Sequence, residues 1–299
     1  MPHPFKSIAL IGNARDERVA ECMRALTGHL AGRSLRPLID HRQVPLFAPG
    51  TVVECPAQSF AHRADLIISI GGDGTLLYAA SLVAGHPIPL LGVNRGRLGF
   101  LTDVGPASML ENVDSVLDGK YLEDRRTLIA ARLEREGAPM AQALALNDVV
   151  INKRETGRMM EFEASINGRY FNSHGGDGIV IATATGSTAY ALSCGGPIVE
   201  PDLEVWVVAP ISPHTLSDRP IVVRAGSRIL VQISDRHESR AQVTCDGTAL
   251  GDMRQGDSLH VEGSEAQITL LHPPGYDYYR LLRSKLHWGR GPSGSAPDE

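Results

Sequence analysis

Over the first third of the chain, apolar runs of strand length alternate with segments of helical spacing. Ser7–Ile11 is the first such run and ends at Gly12-Asn13. Val19, Cys22, Met23, Leu26 and Leu30 then recur on one helical face, with Asp16 placed to cap the helix start. Leu35–Ile39 reads as a second strand, followed by a proline-broken connection (Pro45, Pro49, Pro56). Asp65–Ile70 is a short buried strand, β-branched and free of proline, that runs straight into Gly71-Gly72-Asp73-Gly74-Thr75. The run Leu76–Val83 has helical spacing again, Pro89–Val93 is a strand, and Pro106–Leu117 is a helix stopped near Gly119. This alternation predicts a parallel sheet with helices on both faces.

Beyond about Leu122 the pattern changes to strands. They are read at Thr127–Glu134, Gln142–Asn152, Glu161–Ile166, Gly178–Ala182, Val205–Ala209, Pro220–Val223, Arg228–Ser234, Gln242–Cys245, Ser258–Val261 and Gln267–Leu271. Asn167-Gly168 is a hairpin turn leading to Tyr170-Phe171, and Asp246-Gly247 is a second. Only Thr188–Ser193 suggests a helix in this region, and Asp277–His287 is a helix after it. The fold class read from this pattern is α/β plus β. It has an N-terminal α/β, Rossmann-like parallel-sheet domain and a C-terminal antiparallel β-sandwich domain, and the C-terminal helix returns to the first domain. The expected boundaries are 1–122, 123–272 and 273–288, with a disordered tail at 289–299 that is poor in apolar residues.

Composition narrows the partners. The length of 299 residues fits one large or two ordinary domains, and an apolar fraction of 42% supports a normal core. The net charge is −5 and the arginines fall in short scattered runs (Arg33/Arg36, Arg95/Arg97, Arg125/Arg126), so no nucleic-acid partner is expected. No apolar stretch approaches the roughly 20 residues of a membrane helix. MPHPFKSIALIG has only a strand-sized apolar run, so neither a membrane span nor a signal peptide is expected. Cys22, Cys55, Cys194 and Cys245 lie far apart without a C-x-x-C pair, which argues against a zinc site or disulfide framework and for a reduced, cytoplasmic protein.

The candidate chemistry gathers at glycine-rich strings. A strand–glycine turn–helix junction is where α/β folds bind ligands, because N–H groups at the helix start point outward with partial positive charge. The glycines of 71–74 let a phosphate or sugar approach the backbone. Asp73 is out of place in a phosphate cradle unless it holds a metal, binds a sugar hydroxyl or takes a proton from one; otherwise it caps the following helix. The loop Asn94–Asp103 follows the next parallel strand and faces the same sheet edge, with Phe100 in it. Ser173–Tyr190 repeats GGDG around Asp177 and then places four hydroxyls in Thr183-Ala184-Thr185-Gly186-Ser187-Thr188, more than an N-cap uses. Asn147-Asp148 interrupts an apolar run, either as a hairpin turn or as a donor–acceptor pair suited to a vicinal diol. G-x-x-x-x-G-K-[ST], an early G-x-G-x-x-G and G-x-S-x-G are all absent.

On these strings the chain resembles the NAD kinases. They are GGDGT at 71–75, GVNRGRLGFLTD at 92–103, Asn147-Asp148, GDG at 176–178, TATGSTAY at 183–190, GGPIVEP at 195–201 and PISPHTLSDRP at 210–220. The resemblance runs from about residue 65 to 288. GGDGT alone is shared with diacylglycerol, sphingosine and phosphofructo-kinases, and its combination with T-x-T-G-S-T-A-Y is the specific part.

The resemblance implies transfer of the ATP γ-phosphate to the 2′-hydroxyl of the adenosine ribose of NAD, giving NADP. It also implies a divalent metal such as Mg²⁺, a substrate cleft between the domains, and a homodimer or homotetramer. By similarity Asp73 is the general base and Gly74 contacts NAD. Asn147 and Asp148 bind the adenosine ribose, Asp177 contacts the nicotinamide end, and Phe100 packs on a base. Thr188, Ala189, Tyr190 and Ser193 line the dinucleotide pocket. Gly71, Gly72, Thr75, Arg158, Gly175, Thr185 and Thr248 complete the expected nucleotide-binding set, and no side chain is assigned as a metal ligand.

Several residues depart from the family pattern: Ala184 for proline, Asp148 for the commoner Glu, Thr248 for Gln, and Gly175 where some members have arginine. The last implies tolerance of uncharged NADH beside NAD⁺. Two alternatives remain at this point: a lipid kinase of the diacylglycerol type, and a non-catalytic dinucleotide-binding regulatory module.

Overall fold

The computed structural model describes residues 5–96, 98–154, 160–234 and 240–288. Arg97, Arg158 and the tail 289–299 lie outside the described residues. The chain divides into two compact units, one from residues 1–125 and 268–299 and one from 126–267.

The first unit contains β1 (Ile8–Gly12), α1 (Glu17–Gly32), β2 (Leu38–Ile39), β3 (Val53–Glu54), α2 (Phe60–Arg63), β4 (Leu66–Gly71), α3 (Asp73–Val83), β5 (Leu90–Asn94) and α4 (Met109–Leu117). The strands pair in parallel in the order β3-β2-β1-β4-β5, and Leu270 and Leu271 of the chain's last strand add in parallel beside Leu90 and Leu91. Asp16 caps α1 as expected, its carboxylate accepting from Arg18 N. Val19, Met23, Leu26 and Leu30 of α1 and Met109, Val113, Val116 and Leu117 of α4 pack with Ile8, Leu10, Ile68, Ile70, Leu91 and Val93. Side chains alternate across a strand, so Gly92 faces the opposite side from Leu91 and Val93. A Cβ on Gly92 would lie 2.8 Å from Leu76 Cδ1 of α3, which puts α3 on that second face. The proline-broken connection holds the two-residue strand β3 and a short helix that the sequence pattern did not reveal.

The second unit is a sandwich of two sheets. Its strands are β6 (Leu122–Arg135), β7 (Ala138–Ala145), β8 (Asp148–Lys153), β9 (Met160–Ile166), β10 (Arg169–Gly176), β11 (Gly178–Thr183), β12 (Val205–Ile211), β13 (Ile221–Arg224), β14 (Ile229–Ile233), β15 (Arg240–Cys245), β16 (Thr248–Arg254) and β17 (Asp257–His272), of which the first residues of β6, up to Arg125, and the last of β17, from Ile268, count with the first unit. One sheet joins β10-β9-β14-β17-β6-β7, and the other runs β13-β12-β11-β8-β15-β16. Leu133, Phe162, Val231, Leu259 and Val261 of the first sheet meet Val149, Ile151, Ile179, Ile181, Trp206 and Val243 of the second in one core. Val150, Val180, Ala182, Val207 and Ala209 point the other way and are covered by Ala184, Ala191 and Val199. β8, β11 and β12 are therefore buried on both faces, which explains their unbroken apolar runs.

Three readings need correcting. Gln142–Asn152 is two strands, not one, and the break at Leu146-Asn147 carries the chain from one sheet to the other rather than round a hairpin. Ser258–Val261 and Gln267–Leu271 are parts of the single strand β17. The helix read at Thr188–Ser193 is a 3₁₀ turn at Thr185–Thr188 followed by the four-residue α5 (Tyr190–Ser193). The hairpin at Asn167-Gly168 stands, with both residues at positive φ. α6 (Tyr278–Leu286), capped by Asp277, belongs to the first unit.

Candidate active site

In the first unit the strand order 3-2-1-4-5 reverses direction between β1 and β4, the topological switch point at which open α/β sheets bind ligands. A cavity of about 790 Å³ lies there, lined by Gly12 at the end of β1 and Asn13 just beyond, Asp40 and Arg42 after β2, and Gly74 and Thr75 after β4. No side chain caps α3, and Thr75 N turns back to Gly72 O at 2.9 Å, so the N–H groups ahead of it remain for a ligand. Gly72 and Gly74 face open space, whereas Gly71 is glycine for a packing reason: a Cβ there would lie 2.3 Å from Thr75 Oγ1.

Asp73 is the first residue of α3 but does not cap it. Its Oδ2 accepts from Phe100 N at 2.8 Å, and Oδ1 accepts from Leu101 N at 3.0 Å and Thr102 Oγ1 at 3.2 Å. Gly99 makes this close approach possible, since a Cβ there would sit 2.0 Å from Asp73 Oδ1. The Phe100 ring has Lys285 Nζ 5.4 Å from its centroid. GGDGT and the 94–103 loop thus meet at one sheet edge, as the sequence implied.

In the second unit Asn147, Asp148, Thr183–Ser193 and Thr248 converge. Asp246, in the β15–β16 turn, accepts from Leu146 N at 2.7 Å on Oδ2 and from Asn147 N and Asp148 N at 2.7 and 3.1 Å on Oδ1. Thr248 opens the strand leaving the same turn. Gly186 packs on Asn147 so closely that a Cβ would lie 2.0 Å from its carbonyl oxygen. Burial, and then the charge of Asp246, raise the Asp148 carboxyl to about 7, with a backbone hydrogen bond from Tyr190 opposing. Asn147 Oδ1 is buried without a partner among the described residues.

The four hydroxyls of 183–188 are less free than their number suggested. Thr183 Oγ1 donates to Leu146 O at 2.6 Å, Ser187 Oγ donates to Val199 O, and Thr185 Oγ1 accepts from buried Arg126 at 3.1 Å. Thr188, partly exposed, keeps only a 3.4 Å contact to Thr185 O among the described residues. Tyr190 and Ser193 begin and end α5, with Ala189 just before it. Asp177 lies beyond the other end of β11, ion-paired with Lys153. That hydrogen bond holds its carboxyl below the usual range, against a small opposing effect of burial. Gly175 O accepts from His214 N at 2.9 Å.

Sequence reasoning missed Gly99, Thr102, Arg126, Lys153 and Asp246 as parts of these sites. In the sequence Arg126 figures only as half of a short basic run, and Asp246 only as a turn residue. An Asp before Gly in a tight turn, with a polar Asn-Asp break elsewhere in an apolar strand, is the one signal that hinted at the last.

The ATP-NAD kinase N-terminal domain family matches residues 39–121, and the ATP-NAD kinase C-terminal domain family matches 146–272. An NAD kinase of Nitrosococcus oceani is 42% identical over 290 residues, covering 97% of this chain and 99% of its own. One of Methylococcus capsulatus is 41% identical over 288 residues, covering 96% and 99%. Two solved structures share the fold. Yeast NADH kinase complexed with NADH has a TM-score of 0.88 at 22% identity, over 99% of this chain and 90% of its own. An NAD kinase from Archaeoglobus fulgidus in complex with ATP has a TM-score of 0.72 at 24% identity, over 94% and 98%. The class is therefore that of phosphotransferases. Within it, the chain belongs to the ATP-NAD kinase family, which leaves neither a lipid kinase nor a non-catalytic module favoured.

Proposed function

We propose that this chain transfers the γ-phosphoryl group of ATP to the 2′-hydroxyl of the adenosine ribose of NAD, with Asp73 as general base. The O–P bond to the ribose forms, the bond from the γ-phosphorus to the β-bridging oxygen breaks, ADP leaves, and the hydroxyl proton passes to Asp73. One observation carries this reading: the hydrogen bonding of the Asp73 carboxylate. An ionised carboxylate has about four lone-pair sites. Oδ1 meets two donors and Oδ2 one, so Oδ2 retains a direction in which to accept a hydroxyl proton. All three donors are uncharged, so none of them pairs the carboxylate with a cation.

The switch-point cavity beside Gly74 and Thr75 fits a nucleotide in size and position and supports its use by one of the two substrates. Asn147, Asp148, Thr188, Tyr190 and Thr248 are read as ribose and dinucleotide contacts, supported by the unpartnered Asn147 Oδ1. Among the described residues no three or more His, Cys, Asp or Glu side chains are grouped to hold a metal ion. A divalent cation such as Mg²⁺, arriving on the donor's phosphates, does fit, since Mg²⁺ favours phosphate oxygens and water over all-protein cages. When bound there it neutralises charge on the transferring group. A cytoplasmic setting, supported by four unpaired cysteines, and a homodimer or homotetramer complete the reading.

The test is to incubate the protein with ATP, Mg²⁺ and NAD⁺ and to detect NADP with an NADP-specific dehydrogenase. NADP formation dependent on all three components is expected. NAD⁺ binding without turnover on any phosphate donor would contradict the proposal. The same three hydrogen bonds favour a second reading of Asp73, in which it only anchors the 99–102 loop.

A further inference from the structure

The loop that holds Asp73 is itself held at its far end. Thr102 is followed by Asp103, whose Oδ2 lies 3.0 Å from Nδ1 of His272, and Nε2 of the same ring lies 3.2 Å from Oδ2 of Asp124. The His272 side chain is 2% exposed. Its ring stacks on Tyr276, with centroids 3.7 Å apart and planes 9° from parallel. A neutral imidazole has one N–H, so hydrogen bonding to a carboxylate at each nitrogen requires both to be protonated.

We propose that His272, as an imidazolium ion between Asp103 and Asp124, is a positioning residue for Asp73: it fixes the end of the loop whose donors orient the Asp73 carboxylate. The proposal rests on the reading of Asp73 as the base. Three segments distant in sequence meet at this ring: the loop after β5, the start of β6 and the end of β17. Moving any of them parts a buried charge from its counter-charge, which is costly where water cannot compensate. Burial alone would favour the neutral ring, but the hydrogen bonds and charges of Asp103 and Asp124 outweigh it, and His272 titrates above an ordinary histidine. The groups facing the ring are Asp103, Asp124 and Tyr276; Asp277 and Arg280 line the cavity that Asp103 and Tyr276 share.

The full chain, assayed with ATP, Mg²⁺ and NAD⁺, supplies the test. His272→Gln is expected to lower kcat by about 10- to 100-fold, the scale of a misplaced reacting group, while KM for NAD⁺ is unchanged. Adding it to Asp73→Asn is expected to cost nothing more, because residues acting as a unit are not additive. In the wild type, kcat should fall as pH rises through the His272 pKa, since the neutral ring drops one hydrogen bond. In Asp124→Asn the neutral ring can donate from Nδ1 to Asp103 and accept at Nε2 from the new amide, so the alkaline fall should vanish. A His272→Gln protein that melts like wild type and keeps its kcat overturns the proposal, as does an alkaline fall that persists in Asp124→Asn. If His272→Gln does not fold, the Asp124→Asn profile decides. An active Asp73→Asn would instead remove the underlying reading, a result distinct from an inactive Asp73→Asn beside a fully active His272→Gln.

Discussion

The string GGDG occurs twice, at Gly71–Gly74 and at Gly175–Gly178. The first leaves a parallel strand and opens a helix. The second carries the chain from β10 in one sheet of the sandwich to β11 in the other. Asp73 meets two backbone N–H groups and a hydroxyl. Asp177 meets the ammonium group of Lys153. Neutral donors orient a carboxylate without cancelling its charge. One paired with a cation has its charge neutralised and is a weaker base, in keeping with its lowered pKa. Identical residues therefore acquire different chemistry from what flanks and faces them.

Apart from Asp73 itself, the comparison breaks most severely at Gly99. A Cβ there would lie 2.0 Å from Asp73 Oδ1 and 2.3 Å from Thr102 Oγ1. Gly99→Ala is expected to displace the carboxylate and lower kcat by about 10²-fold, measured by steady-state NADP formation; a change below twofold would show that the loop does not orient Asp73.

A smaller effect is expected from pH. Asp148 titrates near 7, so its ionised, hydroxyl-accepting form gains population between pH 6 and 8. KM for NAD⁺ should fall by roughly tenfold over that interval, and Asp148→Asn should flatten the profile. The Asp177 pair behaves oppositely. Its carboxyl is depressed, so its contribution to stability is present above the ordinary carboxylate pKa of ~3.9 and is lost as pH falls through the depressed value. Melting curves of wild type and Lys153→Met should therefore converge only in acid.

Asp177→Asn comes next. It removes the Lys153–Asp177 ion pair and is expected to raise KM for NAD⁺ about fivefold, the effect of one lost polar contact, with kcat little changed. Smallest is Gly72→Ala. Nothing lies within 4 Å of its added Cβ, so the melting temperature should not move and only KM for ATP should rise, by about two- to threefold, if phosphate approaches that backbone. A shift in melting temperature with unchanged KM would place the phosphates elsewhere.

What was legible in the sequence follows the range of the interactions. The strand–turn–helix junction at 66–83 and the Asn167-Gly168 hairpin are set by neighbours within a few residues, and both were readable. β17 was read as two strands because exposed Glu262 and its polar neighbours interrupt its apolar pattern. The junction at Leu146-Asn147 was hidden because both flanking strands are apolar. The supports of the two sites were the least legible. Asp246 anchors residues 98 to 100 positions away, and His272 meets Asp103 across 169. Their partners are created by the fold, and no local pattern announces them.

The central claim is that Asp73, and not its sequence twin Asp177, takes the ribose proton. The most direct test is kcat at saturating ATP and NAD⁺ for Asp73→Asn and Asp177→Asn side by side, with melting temperatures for both. The account expects Asp73→Asn to melt within a few degrees of wild type yet turn over ~10²–10⁴-fold more slowly, the usual loss for a general base, while Asp177→Asn stays within a few-fold. An Asp73→Asn enzyme that keeps wild-type kcat, or whose loss is matched by a collapse in melting temperature, would contradict it and leave Asp73 as an anchor of its loop.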